Sequence, residues 1–354
     1  MYNPMVMAQS NFRVGITPDF YIEAKGKFES AVEQMFGNVP GIVVEAMPAQ
    51  PGNLAQLKDI DTYDAIFALA TKFTSESVAG AKRLAIIARW GVGYDMIDVP
   101  AITKANIALA ITPGAVRRPV AEAIVSLIFG LTTNLLIQDR LVRQGKWRGQ
   151  LPALGRNIKG RVLGSLGCGN IASELFQMSA SLGFGRMLAH DPFVTPAQAA
   201  ALGVELVSME ELFAQSDFLS INVPLSAETK GVVNDRLLRM MKPQAYLINT
   251  SRGPVVDEQA LIKVLEEGTI AGAGLDVFET EPLPAGSKLR ELDNVILAPH
   301  GLAWTEELAR DNSLEACRNI LAVYAGKAPG PVVNRDVLGQ HEFQQKLASF
   351  RRTE

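Results

Sequence analysis

Three polar residues stand at the ends of apolar, strand-like runs and could share one piece of chemistry. Arg252 follows Leu247-Ile248-Asn249-Thr250-Ser251, Glu281 follows Asp276-Val277-Phe278-Glu279-Thr280, and His300 follows Leu297-Ala298-Pro299. An arginine offers a fixed planar cation suited to a carboxylate. A histidine titrates near pH ~6.5 when unperturbed, so it can hold or release a proton near neutrality. A neighbouring acid favours its charged form and orients the ring. Together they describe hydride transfer at the carbon of a 2-hydroxy acid, with no metal expected. Taken singly, each has a plainer reading: an ion-paired arginine, a loop acid before Pro282, a structural histidine.

Upstream lies Gly167-Cys168-Gly169-Asn170-Ile171-Ala172, entered from the apolar run 161–166 and followed by a helical pattern over 173–182. A first glycine allows the tight turn and a second lets backbone approach a pyrophosphate. The small third residue permits close packing of helix on strand. The next apolar run, 186–190, ends at Asp191, where an acid accepts hydrogen bonds from the adenosine ribose and repels a 2′-phosphate. NAD is therefore expected rather than NADP. Cys168 reads as a small filler, and His190 as a strand-end packing residue.

Such residues need a scaffold that brings strand ends together. Short β-rich runs at 12–17, 42–45, 65–69, 84–88 and 107–111 alternate with helical stretches, among them 29–36 and 75–83. A second series runs over 161–167, 186–190, 217–222, 245–249, 271–277 and 295–298, nearly continuous in apolar character, as for parallel strands covered on both faces. The expected class is α/β, with two doubly wound parallel-sheet domains. The chain would cross between them near Thr112-Pro113-Gly114 and Ala298-Pro299-His300. The helical stretch 305–325 would return to the first domain, and the polar residues from Gln340 onward would be poorly ordered.

With 354 residues there is room for two cores, and 48% hydrophobic with 20% charged residues is ordinary for a globular protein. A net charge of −3 gives no electrostatic reason to bind nucleic acid or an anionic membrane. Two cysteines cannot form a disulfide framework, so a reducing, cytoplasmic setting is expected. The start, Met1 to Met7, has no basic leader or apolar core of a signal peptide. The most membrane-like stretch, 123–137, is shorter than a bilayer span and interrupted by polar residues, so burial is expected.

The order and spacing of these motifs resemble the D-isomer-specific 2-hydroxyacid dehydrogenase family, which includes phosphoglycerate dehydrogenases and glyoxylate/hydroxypyruvate reductases. The likeness covers roughly residues 12–335. It adds Gly91-Val92-Gly93-Tyr94-Asp95, Val120-Ala121-Glu122, Val223-Pro224-Leu225 and Asp276-Val277-Phe278 to the motifs above. It implies a flavodoxin-like substrate domain, 1–112 plus 301–336, with a Rossmann NAD-binding domain, 113–300, inserted in it and a tail, 337–354. Arg252, Glu281 and His300 would be catalytic, with Arg252 on the substrate carboxylate and carbonyl and His300 as acid–base group. Gly167, Gly169, Asn170, Ile171, Asp191, Val223, Pro224, Thr250, Ser251, Arg252, Asp276 and His300 would line the cofactor site, Asp276 at the nicotinamide amide. Amides of Gly91, Val92 and Gly93 would help hold the substrate carboxylate with Arg252 and His300. The helix expected over 120–138 would belong to a homodimer interface.

Within that resemblance, Glu281 separates the chain from formate dehydrogenases, which carry glutamine there, and Val92 from phosphite dehydrogenases, which carry lysine. Lys72, Arg89, Arg117 and Arg118 are candidates for a second anionic group on the substrate, and Trp304 for limiting its bulk. A competing reading is an NAD(H)-sensing scaffold of the corepressor type, and another is a cofactor binder without turnover. The intact trio favours the enzyme.

Overall fold

Alternating apolar runs and helices resolve into two compact units in a computed structural model that describes residues 11–24, 26–49 and 51–351. Residues 1–116 with 306–354 make the first unit, and 117–305 the second. The N-terminal stretch read for a leader lies outside the described residues, apart from which no single helix is long and apolar enough to cross a membrane.

The first unit contains β1 (Phe12–Ile16), β2 (Ile42–Ala46), β3 (Ala65–Ala68), β4 (Ile86–Arg89) and β5 (Ala108–Ala110). They pair in parallel in the order β2-β1-β3-β4-β5, the flavodoxin-like order. β3 is buried along its whole length. Ile66, Ala68, Ile87 and Leu109 pack into one cluster, while Phe67 meets Phe20 and Phe28 in a second aromatic group. Such two-sided burial is what makes these runs continuous rather than alternating.

The second unit holds β6 (Val162–Leu166), β7 (Arg186–His190), β8 (Glu205–Leu206), β9 (Phe218–Ile221), β10 (Tyr246–Asn249), β11 (Gly272–Leu275) and β12 (Val295–Leu297). Its order is β12-β11-β10-β9-β6-β7-β8, all parallel. Successive side chains alternate between two cores: Leu219, Leu247 and Leu275 in one, Phe218, Tyr246 and Ile248 in the other. Strand order reverses between β6 and β9, the place where an open α/β sheet opens a crevice for ligand.

Four expectations need correction. The continuous helix over 120–138 is two helices, Pro113–Thr132 and Leu135–Arg143, bent by 59°. Asn134 sits in the left-handed region at φ 53°, and the hydroxyls of Thr132 and Thr133 bond back to Ile128 O and Phe129 O, so the polar interruption breaks the helix. The helix expected over 75–83 ends at Val78, because Ala79 is extended and Gly80 has φ +86°. A two-residue strand, β8, was not anticipated; it is too short to leave a pattern.

The C-terminal tail is not disordered as expected: His341–Phe350 is a helix, and it belongs to the first unit. Phe343 and Leu347 are buried, and Phe350 packs edge-on against Phe12. Lys346 Nζ donates to the carbonyls of Leu84, Ala105 and Asn106 at 2.7, 3.3 and 3.1 Å. Burial lowers its amine to about 8, against the opposing pull of Asp61.

Candidate active site

β6 delivers the chain into the glycine turn at the point where the strand order reverses. Gly167 has φ +95°, and a Cβ there would lie 2.8 Å from Asn222 O and 3.1 Å from Val223 Cγ1. Glycine is thus required both by conformation and by the close approach of the loop after β9. Ser165 Oγ donates to Gly167 O at 2.6 Å, and Asn222 Nδ2 donates to Ser165 Oγ at 2.8 Å, tying turn to loop. The Asn170–Ser179 helix starts directly after Gly169, three residues earlier than the sequence pattern indicates. Its first-turn amides, Asn170 and Ile171 among them, lack intrahelical acceptors by geometry and face anions favourably. A Cβ at Gly169 would meet nothing within 4 Å, so space is open in front of the turn.

Asp191 lies on the same turn. Its Oδ2 accepts the Cys168 N–H at 2.8 Å, and its Oδ1 accepts the Phe193 N–H at 2.8 Å. Burial, reinforced by Asp191, pushes the Cys168 thiol up, which suits a filler rather than a nucleophile. His190 Nδ1 meets Val207 O at 3.0 Å, a packing contact at the strand end.

Arg252 is carried by a loop that the buried Asn249 organises. Asn249 Oδ1 accepts from Ser251 N and Ser251 Oγ at 3.0 and 2.9 Å, and its Nδ2 donates to Arg252 O at 3.1 Å. Arg252 Nη1 donates to Ser251 O at 2.7 Å. The next residue, Gly253, touches the backbone of the Phe278–Glu279 peptide so closely that a Cβ would lie 1.9 Å from Phe278 C and O. That approach sets the Arg252 loop against the segment leading to Glu281. Thr250 Oγ1 is buried and has no partner among the described residues.

Glu281 and His300 form a direct pair, with His300 Nδ1 2.8 Å from Glu281 Oε2. Phe278 N–H donates to Glu281 Oε1 at 3.0 Å. Burial pushes the Glu281 carboxyl up, but the His300 hydrogen bond and charge, the Phe278 N–H and the Arg252 charge outweigh it. The net displacement is downward. An ionised carboxylate accepts the Nδ1 proton, which leaves Nε2 as the working nitrogen. His300 itself has φ 53°, an uncommon left-handed backbone.

Asp276, expected at the nicotinamide amide, holds the His300 turn. Its Oδ1 accepts from Gly301 N and Leu302 N at 2.9 and 3.3 Å. Burial raises its carboxyl, opposed by those two N–H groups and the His300 charge. Sequence reasoning missed this bracing role, as it missed Ser165, Asn222 and Asn249, because contacts between distant loops leave no local pattern.

Other candidates are placed within their own units. Val223 and Pro224 follow β9 and lie beside the glycine turn. Gly91, Val92 and Gly93 follow β4 in the first unit, where Arg89 Nε donates to Gly93 O at 2.9 Å. Lys72 is exposed. Arg118 is paired with Glu122 at 2.6 Å and Glu174 at 3.4 Å. Arg117 is exposed, and Trp304 is 40% exposed.

Residues 125–301 match the family described as D-isomer specific 2-hydroxyacid dehydrogenase, NAD binding domain. A glyoxylate reductase of Korarchaeum cryptofilum is 38% identical over 297 residues, 83% of this chain and 89% of that one. A D-3-phosphoglycerate dehydrogenase of Synechocystis sp. is 36% identical over 282 residues, 79% of this chain and 50% of the relative. Among solved structures, an NADPH-dependent glyoxylate/hydroxypyruvate reductase from Sinorhizobium meliloti, in complex with NADP and malonate, has 26% identity and a TM-score of 0.78. That match covers 98% of this chain and all of the other.

Proposed function

This chain belongs to the D-isomer-specific 2-hydroxyacid dehydrogenase family and is a nicotinamide-dependent dehydrogenase, and we propose that it interconverts a small 2-oxo acid of the glyoxylate and hydroxypyruvate class with its D-2-hydroxy acid. The observation that carries this reading is the His300–Glu281 pair, 2.8 Å apart, with Arg252 close enough to influence the carboxylate. Arg252 binds the substrate carboxylate and carbonyl oxygen. Val92 and Gly93 assist the carboxylate through their backbone amides.

The residues present fit a dinucleotide. Open space before Gly169, a helix N-terminus at Asn170 and the acid Asp191 on the turn suit a pyrophosphate and an unphosphorylated ribose. Val223, Pro224, Thr250 and Ser251 line the groove, and the orphaned Thr250 hydroxyl awaits a polar partner there. When bound, the reduced nicotinamide supplies a hydride to the substrate's carbonyl carbon. His300 donates the Nε2 proton to the carbonyl oxygen in reduction and removes the hydroxyl proton in oxidation. Glu281 holds the ring by Nδ1. Asp276 keeps the His300 turn in place and reaches the nicotinamide amide with its remaining acceptor capacity.

The experiment is loss of NADH absorbance, scanned over glyoxylate, hydroxypyruvate, pyruvate, 2-oxoglutarate and phosphohydroxypyruvate. No turnover of any of them would defeat the reading. NADH should serve better than NADPH, since Asp191 repels a 2′-phosphate; a clear preference for NADPH would remove that role from Asp191.

Removing the acid tests the pair. Glu281→Ala takes away the acceptor that holds His300 by Nδ1 and should lower kcat/KM for reduction by about 10²-fold, the size of a misplaced catalytic group. An unchanged kcat/KM would dissolve the pair.

The protein acts as a symmetric homodimer built on the second unit. Phe129, Leu135, Leu136, Val142, Trp147 and Leu154 are exposed there within a short span of chain, more apolar surface than a lone domain leaves in water. Light scattering that gave the mass of one chain would rule the dimer out. The two cysteines are free and buried, in keeping with a reducing cytoplasm.

A further inference from the structure

The loop after β4 contains three amides that could face a carboxylate, but they are not equivalent. Gly91 is buried, and its N–H donates to Thr112 Oγ1 at 2.7 Å. Thr112 is fully buried and donates its only hydroxyl proton to Asn312 Oδ1 at 2.5 Å. That commits the hydroxyl lone pairs to Gly91. Asn312 lies on the Glu306–Tyr324 helix, 1% exposed. The adjacent residues repeat the tie: Trp90 Nε1 donates to Ser313 Oγ at 2.9 Å. Two consecutive residues at the root of the loop are thus anchored to two consecutive residues of one helix. Beyond them, Val92 and Gly93 are half-buried, and among the described residues neither N–H has an acceptor. Arg89 Nε fixes the Gly93 carbonyl at 2.9 Å.

We propose that Thr112, held by Asn312, is a positioning residue for substrate binding: it consumes the Gly91 amide and sets the loop so that Val92 and Gly93 alone present N–H donors to the substrate carboxylate. This rests on the activity proposed above. A carboxylate has two oxygens and takes two such donors. A third amide already satisfied inside the protein cannot turn towards it without depriving the buried Thr112 Oγ1 of its donor, which is costly. Two donors in fixed geometry are better pre-organised than three in a mobile loop.

The test is Thr112→Val, which keeps shape and removes the hydroxyl, beside Thr112→Ser, which keeps the hydroxyl. With NADH and glyoxylate, Thr112→Val should raise KM about tenfold and leave kcat within about twofold, the size expected when one buried hydrogen bond is lost from a binding loop. Thr112→Ser should restore KM. A merely structural role would lower the amount of folded enzyme, and with it apparent kcat, without this split. Amide hydrogen exchange in the NADH complex supplies a readout independent of turnover. Gly91 should be protected before ligand is added, and oxamate should slow exchange at Val92 and Gly93 only. In Thr112→Val, Gly91 should lose protection and oxamate should bind about tenfold more weakly. Unchanged KM and unchanged oxamate affinity in Thr112→Val would overturn the proposal. So would oxamate-dependent protection of Gly91 in the native protein. If the native enzyme reduces no 2-oxo acid, the activity reading falls separately, and the exchange and oxamate measurements still decide the role of Thr112.

Discussion

Replacing His300 by alanine is expected to lower turnover of a 2-oxo acid by about 10²–10⁴-fold, the contribution of a positioned acid–base group. NADH affinity should change little, because the glycine turn and Asp191 lie on other loops of the second unit. The ring is held through Nδ1 by Glu281, so removing it takes away the proton at Nε2 and nothing that closes the fold. One complication is physical. His300 occupies a left-handed backbone at φ 53°, where alanine is disfavoured, so His300→Ala also strains the turn. His300→Asn separates the two effects, since asparagine tolerates that conformation but cannot transfer the proton. Both variants should be equally inactive. Substantial activity in either would take the histidine out of the mechanism.

Gly253→Ala is expected to be nearly as damaging, although the residue carries no functional group. Its added methyl would lie 1.9 Å from Phe278 C and O and 2.5 Å from Glu279 N, all backbone atoms that cannot swing aside. The two loops must separate. One carries Arg252 as the preceding residue; the other is tied to Glu281 through the Phe278 N–H. Overpacking of this kind costs about 1–3 kcal/mol in stability, and a 1 Å displacement of catalytic groups can cost about 10²-fold in rate. Urea unfolding and kcat/KM measured on the same preparation would register both losses. Native-like values for both would mean that the contact yields and does not position Arg252.

How far the sequence discloses this site depends on the range of the interaction. The glycine turn, Asp191 and the three strand-end residues are legible because each belongs to a local strand–turn pattern. The continuous apolar runs announced strands covered on both faces, and the sheets are built that way. The bracing of the site was not legible. Asp276 holds a turn two dozen residues away, Asn249 folds back on its own loop, and Thr112 reaches a helix two hundred residues on. Nothing in spacing or residue type specifies such pairings; they follow from which loops the topology places side by side. The break at Asn134 shows the same limit locally. An apolar stripe continues through it, and only the left-handed backbone stops the helix. The final helix was misjudged because its polar residues outnumber the apolar ones. Phe343, Leu347 and Phe350 nevertheless recur at the interval of a helical face.

That last helix bears on how the protein tolerates change at its carboxyl end. Lys346 threads its ammonium among three carbonyls just ahead of β4 and β5, so trimming the chain before Gln340 would uncover both the acceptors and the apolar floor beneath them. The sign of the proton linkage is also set. With its folded value near 8, below the ~10.4 of an unfolded lysine, this amine makes the native state bind fewer protons between those limits. Its contribution to stability therefore grows with alkalinity, and mildly basic buffers are the gentler ones for this end of the molecule.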